Sequence, residues 1–204
     1  EIHNNSLYPN EQHQGRRIEK RKQHLFIRNY EKDTIAIIQR LIELSRRGIQ
    51  NYANYVNTWL SSSVHLVDCP EKKMALRKMF ENSCVSLVYG SAGTGKSTLI
   101  DHISHLFPQQ DKLYFANTKP AVDNLNRRVS ASNCTFMTTT KFLSARTVRS
   151  EYDILFVDEC STISNRDMSS ILERAKFVLL VLVGDIYQIE AIQFGNWFVA
   201  AKSF

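Results

Sequence analysis

The chain has 204 residues, 43% hydrophobic and 23% charged, with a formal net charge of +6. That balance excludes a disordered chain and suits one domain with an appendage. No run reaches the roughly 18 apolar residues of a membrane span, and no charged-then-apolar leader is visible, so a membrane or secreted protein is not expected.

Cys69, Cys84, Cys134 and Cys160 form no C-x-x-C pair. A reduced, intracellular and cytoplasmic protein is the simple expectation. The charge is uneven: residues 1–85 carry +5 of the +6, with Arg16, Arg17, Lys20, Arg21 and Lys22 clustered. Such a cluster can meet phosphates through counterion release, or be a solvated leader, and charge alone does not choose.

In chain order, residues 1–15 are polar and read as loosely ordered. A helical pattern begins at Asp33, with Ile35, Ile38, Leu41 and Ile42 on one face, Arg46 and Arg47 in the last turn and Gly48 as C-cap. A second stripe runs through Ile49, Tyr52, Ala53, Val56 and Trp59 or Leu60. A third helix is predicted from Asp68. Asp68 and Glu71 read as a capping box, Pro70 fits the first turn, and Ala75, Leu76, Met79 and Phe80 form the apolar face. The aromatics of this region read as helix core rather than as a platform for bases.

After Cys84 the texture changes. Strand-like apolar runs fall at 84–89, 112–116, 134–137, 152–157 and 177–183, with helices from Lys96, about Pro120 and about Asn165. Continuously apolar strands separated by helices predict a parallel sheet covered on both faces. The expected organisation is a helical accessory region over 1–67 and an α/β domain over 68–204.

The first strand leads into Gly90-Ser91-Ala92-Gly93-Thr94-Gly95-Lys96-Ser97, which fits G-x-x-x-x-G-K-[ST], with Thr98 next. Glycines let successive backbone N–H groups turn inward around a polyanion, and the following helix aims its positive end at it. In that pattern Lys96 reaches the β- and γ-phosphates of a nucleotide, and the Ser97 hydroxyl binds Mg²⁺.

The run at 154–157 ends in Asp158 and Glu159. A phosphate loop needs such a partner on a neighbouring strand: Asp158 to hold the metal and Glu159 to activate the attacking water. A third strand, 177–183, is followed by Gly184, Asp185 and, shortly after, Gln188. A glutamine there can orient water or sense loss of the γ-phosphate, although Gly-Asp is also an ordinary turn pair.

These segments together resemble the first RecA-like domain of a superfamily 1 DNA helicase of the RecD-like branch, which moves 5′ to 3′. The phosphate loop, including its Ala-Gly-Thr centre, Asp158-Glu159-Cys160-Ser161 and Gly184-Asp185 with Gln188-Ile189 and Gly195 resemble the family's signatures. The segments 116–125 and 138–143 are similar to its strand-contacting segments, so the resemblance implies DNA contacts at Asn117, Thr118, Lys119, Pro120, Thr139 and Lys141. It further implies ATP and Mg²⁺ as cofactors, single-stranded DNA or RNA as partner, and catalytic roles for Lys96, Asp158, Glu159 and Gln188.

The sequence departs from the family in places. The glutamine that reads adenine ahead of the loop is replaced near Lys73, and Ile189-Glu190-Ala191 follows the sensor Gln. The chain begins at Glu1 and stops at Phe204. An excerpt is therefore expected, with the second RecA-like domain beyond it and little activity in this segment alone. Two other readings stay open: an ATPase acting on a protein partner, and a binding module whose basic N-terminal helices act without catalysis.

Overall fold

In the computed structural model, which describes residues 2–62, 64–145, 147–185, 187 and 196–202, two single-turn helices come first. They are α1 (Ile2–Asn5) and α2 (Glu11–Gln14), followed by an antiparallel hairpin of β1 (Ile18–Arg21) and β2 (His24–Ile27). The basic cluster at 16–22 is thus part of a hairpin, turned at Lys22 with φ +56°. Sequence reading missed it because β1 carries a single apolar residue, too few to show alternation.

Helix α3 (Arg28–Ser45) begins before Asp33 and buries Ile37 and Leu41, while Ile35 and Ile42 are 47% and 41% exposed. The predicted face is therefore rotated. Apolar residues surround this helix, and its contact with later helices selects the stripe. Gly48 is not its C-cap, since Arg46 holds that position. Gly48 serves a close approach instead, because a Cβ there would lie 2.1 Å from the Glu81 carbonyl oxygen. Next come α4 (Tyr52–Ser62) and α5 (Pro70–Lys78). The capping box at Asp68 does not form. The N-cap is Cys69, without a side-chain cap, and Asp68 instead lies 3.9 Å from the Lys72 ammonium.

The sheet then builds from β3 (Val85–Tyr89), α6 (Lys96–Leu106), β4 (Lys112–Ala116), α7 (Lys119–Arg128), β5 (Cys134–Thr138) and α8 (Thr139–Ser144). It is completed by β6 (Ile154–Val157), a 3₁₀ turn at Cys160–Thr162, α9 (Asn165–Arg174), β7 (Leu179–Gly184) and α10 (Trp197–Ala201). All pairs in this five-stranded sheet are parallel, in the order β3-β7-β6-β4-β5.

Two cores follow from the period-two alternation of strand side chains. Leu113, Phe115, Leu155, Val157, Leu180 and Leu182 pack on one side, with residues of α3, α9 and α10. Tyr114, Ala116, Ile154, Phe156, Val181 and Val183 pack on the other, with α4, α5, α6 and α7. Tyr114 stacks on Phe156 across β4 and β6 with ring centroids 4.5 Å apart. The result is a RecA-like α/β domain, a parallel sheet between helical layers. The N-terminal α3 is joined to it by Asn165, whose Nδ2 donates to Tyr30 O at 3.2 Å and to Thr34 Oγ1 at 2.6 Å. No helix among the described residues is long and apolar enough to cross a membrane.

The chain crosses from β3 to β4 and on to β5, then turns back through β6 to β7, which fill the gap beside β3. Open α/β sheets bind ligands in the crevice beyond the carboxyl ends of their strands.

Candidate nucleotide site

Strand β3 delivers the glycine loop to that crevice. Gly93 and Gly95 take φ of +81° and +83°, conformations that strain any residue with a Cβ. Gly95 is the N-cap of α6, and no side chain caps this helix. Its first-turn amides and its positive dipole end are therefore matched to an external anion. The Gly90 N–H donates to the Gly184 carbonyl at 3.2 Å, tying the start of the loop to the end of β7. The Lys96 ammonium folds over the loop and donates to Gly90 O at 2.6 Å and Ser91 O at 2.8 Å. The Thr94 hydroxyl also donates to Ser91 O. Ser91, Ala92, Gly93, Thr94 and Thr98 are exposed, and Ser97 is half-buried in the first turn.

The acids come from two strands away. The Asp158 N–H donates to Phe115 O at 2.8 Å, and Asp158 Oδ1 accepts from the Glu159 N–H at 2.8 Å. Glu159 adopts φ +53°, sparsely populated for a non-glycine residue and costing on the order of 1 kcal/mol. The Thr162 amide and hydroxyl both donate to Glu159 O at 2.8 Å, holding the turn that requires this conformation.

Burial pushes the Asp158 carboxyl above the usual range, against the pull of the Glu159 amide and the Lys96 charge. Glu159 is also raised, by burial and then by the neighbouring Asp158 charge, with Lys96 again opposing. Lys96 is thus felt at both acids across the end of β7. A cluster with one cation and two reluctant carboxylates fits a bound divalent metal, whose charge would relieve both acids. Ser97 and Asp158 supply the hard oxygen donors suited to Mg²⁺.

Asp185, at the end of β7, is buried and accepts from the Tyr187 amide at 2.9 Å. Gln188, Ile189 and Gly195 lie outside the described residues.

The segments after β4 and β5 open on the same edge of the sheet. Asn117 Nδ2 donates to Thr162 O at 3.0 Å, tying this edge to the acidic turn. Thr118 caps α7 by accepting from Ala121 N–H, and Lys119 pairs with Asp123 at 2.7 Å. Thr118, Lys119, Pro120 and Lys141 are exposed, whereas Thr139 is 1% exposed. Thr138 caps α8, leaving the exposed Thr140 and Lys141 as the surface of that segment.

Sequence reading overlooked Lys72. A Cβ on Gly95 would lie 3.3 Å from Lys72 Cε and 3.4 Å from Nζ, so this ammonium lies over the phosphate loop. Only the packing of α5 brings it there, and no local motif signals it.

Sheet order, glycine loop and helix start define a P-loop NTPase domain. Residues 70–203 match a family model described as an AAA domain, and the chain belongs to this family. None of the curated proteins matches it. Among solved structures, an arterivirus nonstructural protein 10 (helicase) in complex with DNA aligns at 18% identity and TM-score 0.42, covering 56% of this chain and 33% of that one. The crystal structure of PRRSV nsp10 (helicase) aligns at 14% identity and TM-score 0.37, covering 56% and 29%. The chain spans about a third of the length of these structures. Likeness at this level specifies no activity.

Proposed function

We propose that residues 68–204 are the ATP-binding motor domain of a superfamily 1 DNA helicase or translocase of the RecD-like branch, coupling ATP hydrolysis to movement along single-stranded nucleic acid. The observation that carries this reading is the placement of the glycine loop at the carboxyl end of β3 and of Asp158 and Glu159 at the carboxyl end of β6, with β7 between them in one parallel sheet.

The amides of the loop at 90–95 and of the first turn of α6, with Lys96, would hold the triphosphate. Ser97 and Asp158 would hold Mg²⁺, which neutralises phosphate charge. Glu159 accepts a proton from water as the water oxygen bonds to the γ-phosphorus and the bridging bond to ADP breaks. Gln188 would monitor that phosphate.

The exposed Thr118, Lys119, Pro120 and Lys141, with Asn117 at the turn, form a track for a phosphate backbone beside the nucleotide. Lys119 would exchange Asp123 for a phosphate, while the buried Thr139 supports the track rather than facing it. A second RecA-like domain would close over the nucleotide and supply arginines, each worth about 10³–10⁵ in rate. This chain by itself should hydrolyse ATP slowly.

Magnesium-dependent ATP turnover, measured with and without single-stranded DNA over a salt series, tests the reading. Stimulation by DNA that fades as salt rises supports it. Turnover indifferent to DNA at all salts contradicts it and favours an ATPase that serves a protein partner.

A further inference from the structure

Beyond its first turn, α6 carries a second group of side chains that nucleotide chemistry does not use. Asp101 and His105 stand four residues apart and so share one face of the helix. His65, from the segment joining α4 to α5, covers that face, its ring stacked on His105 with centroids 3.9 Å apart and planes 19° from parallel. His65 Nε2 lies 3.9 Å from Asp101 Oδ2, and His105 Nε2 lies 3.6 Å from Asp101 Oδ1. One ligand atom from each of the three lies within 4.8 Å of the others.

The surroundings are arranged as well. Asp101 Oδ1 accepts from the Ser130 N–H at 2.8 Å and its hydroxyl at 3.3 Å, which fixes the carboxylate, and the same hydroxyl lies 3.0 Å from His105 Nε2, a contact that a bound ion would replace. His102 is 4% exposed, its Nδ1 shares a proton with His65 Nε2 at 2.8 Å, and its Nε2 is buried without a hydrogen-bond partner. A hydrogen-bonded polar seam satisfies its members. Here three imidazoles gather about one carboxylate and a ring nitrogen is left over.

We propose that His65, Asp101 and His105 form a Zn²⁺ site that clamps the segment at 64–69 onto α6. Tetrahedral zinc with nitrogen and oxygen ligands at about 2.0–2.1 Å sets ligand atoms about 3.3 Å apart. The separations of 3.6 and 3.9 Å run to different oxygens of Asp101, and the stacked rings of His65 and His105 must turn so that their in-plane lone pairs converge on the ion, so binding needs side-chain rotation as well as contraction. Two imidazoles with one carboxylate favour zinc over magnesium and calcium, which prefer all-oxygen shells. The fourth position is open to water or to His102. On binding, His65 stays neutral with its proton on Nδ1, so that the Nε2 lone pair faces the ion and the hydrogen bond to His102 Nδ1 is given up. The clamp would brace the helix that begins at Lys96, yet the proposal is independent of the ATPase reading and either can fail alone.

The test uses the nucleotide-free 204-residue chain, with Co²⁺ as optical probe and Zn²⁺ as competitor. The expected result is one cobalt per chain, with the visible d–d bands of tetrahedral cobalt, bleached by zinc. His65→Ala and His105→Ala should each weaken binding at least about 100-fold. Asp158→Asn should leave it unchanged, which separates this site from the phosphate-loop acids. Circular dichroism verifies folding, and the half-exposed His105 also allows His105→Gln as a second variant. Absence of both visible bands and a zinc isotherm overturns the proposal. So does affinity unchanged in the histidine variants, or thiolate-to-cobalt charge transfer marking cysteine ligands.

Discussion

The Asn117 side-chain amide donates to the Thr162 carbonyl at 3.0 Å, joining the segment after β4 to the turn that follows Glu159. Thr162 in turn donates its amide and hydroxyl to Glu159 O at 2.8 Å. If the link couples the two sites, a movement of the acidic turn reaches the edge of the sheet proposed to hold nucleic acid. Asn117→Ala removes the link without touching the phosphate loop. Nucleotide affinity should stay unchanged, while DNA-stimulated turnover drops about fivefold, the worth of one hydrogen bond of about 1 kcal/mol. Unaltered stimulation in a steady-state assay would show that the link is only structural.

Glu159→Gln should lower the turnover rate by about 10²–10⁴ while ATP affinity is retained. The same change should raise the thermal midpoint of the metal-free protein. The folded-state pKa values of Asp158 and Glu159 are both raised by burial, so their protonated forms are favoured in the fold. Their stabilising effect is complete below the unfolded-state pKa and is lost as pH rises through the folded-state pKa. Ionised Glu159 is therefore unfavourable at neutral pH, and a neutral amide relieves it. Calorimetry at pH 7 that finds a lowered midpoint would contradict this sign.

Lys72→Ala should weaken ATP binding about two- to fivefold, the range for a partly solvated ionic contact. Its ammonium lies over Gly95 and is only loosely held by Asp68 at 3.9 Å. Equal losses in ATP and ADP affinity would still fit a phosphate contact. Unaltered affinity in a fluorescence titration would remove Lys72 from the site.

A Cβ on Gly184 would lie 2.5 Å from Phe198 Cε1, because α10 packs directly over the end of β7. Gly184→Ala should cost about 1–3 kcal/mol through overpacking, or roughly 2–12 °C in thermal midpoint for a chain of this size. A midpoint within 1 °C of wild type, taking about that as the resolution of a melt, would mean that Phe198 swings aside freely.

Much of the candidate nucleotide site could be read from sequence because each part is local. The glycine spacing of 90–95 encodes the loop, and continuous apolar runs encode β4, β6 and β7, which are buried on both faces. The acids were legible because they end such a run. What escaped depends on distant contacts. The buried stripe of α3 is selected by α9 and α10, and Thr139, expected to face a ligand, is buried instead. Lys72 over Gly95 and His65 over Asp101 and His105 join residues from different elements, and no periodicity marks either meeting.

The central claim is that the loop at 90–97 and the acids at 158 and 159 form one pocket for a magnesium-bound triphosphate. Calorimetric titration of ATP with Mg²⁺ into the wild-type chain and its Lys96→Ala variant tests it most directly. Loss of the ammonium should cost about 1.5–3 kcal/mol, a ten- to hundredfold weakening, with removal of Mg²⁺ weakening the wild type as well. Equal affinity of the two proteins for ATP would contradict the claim.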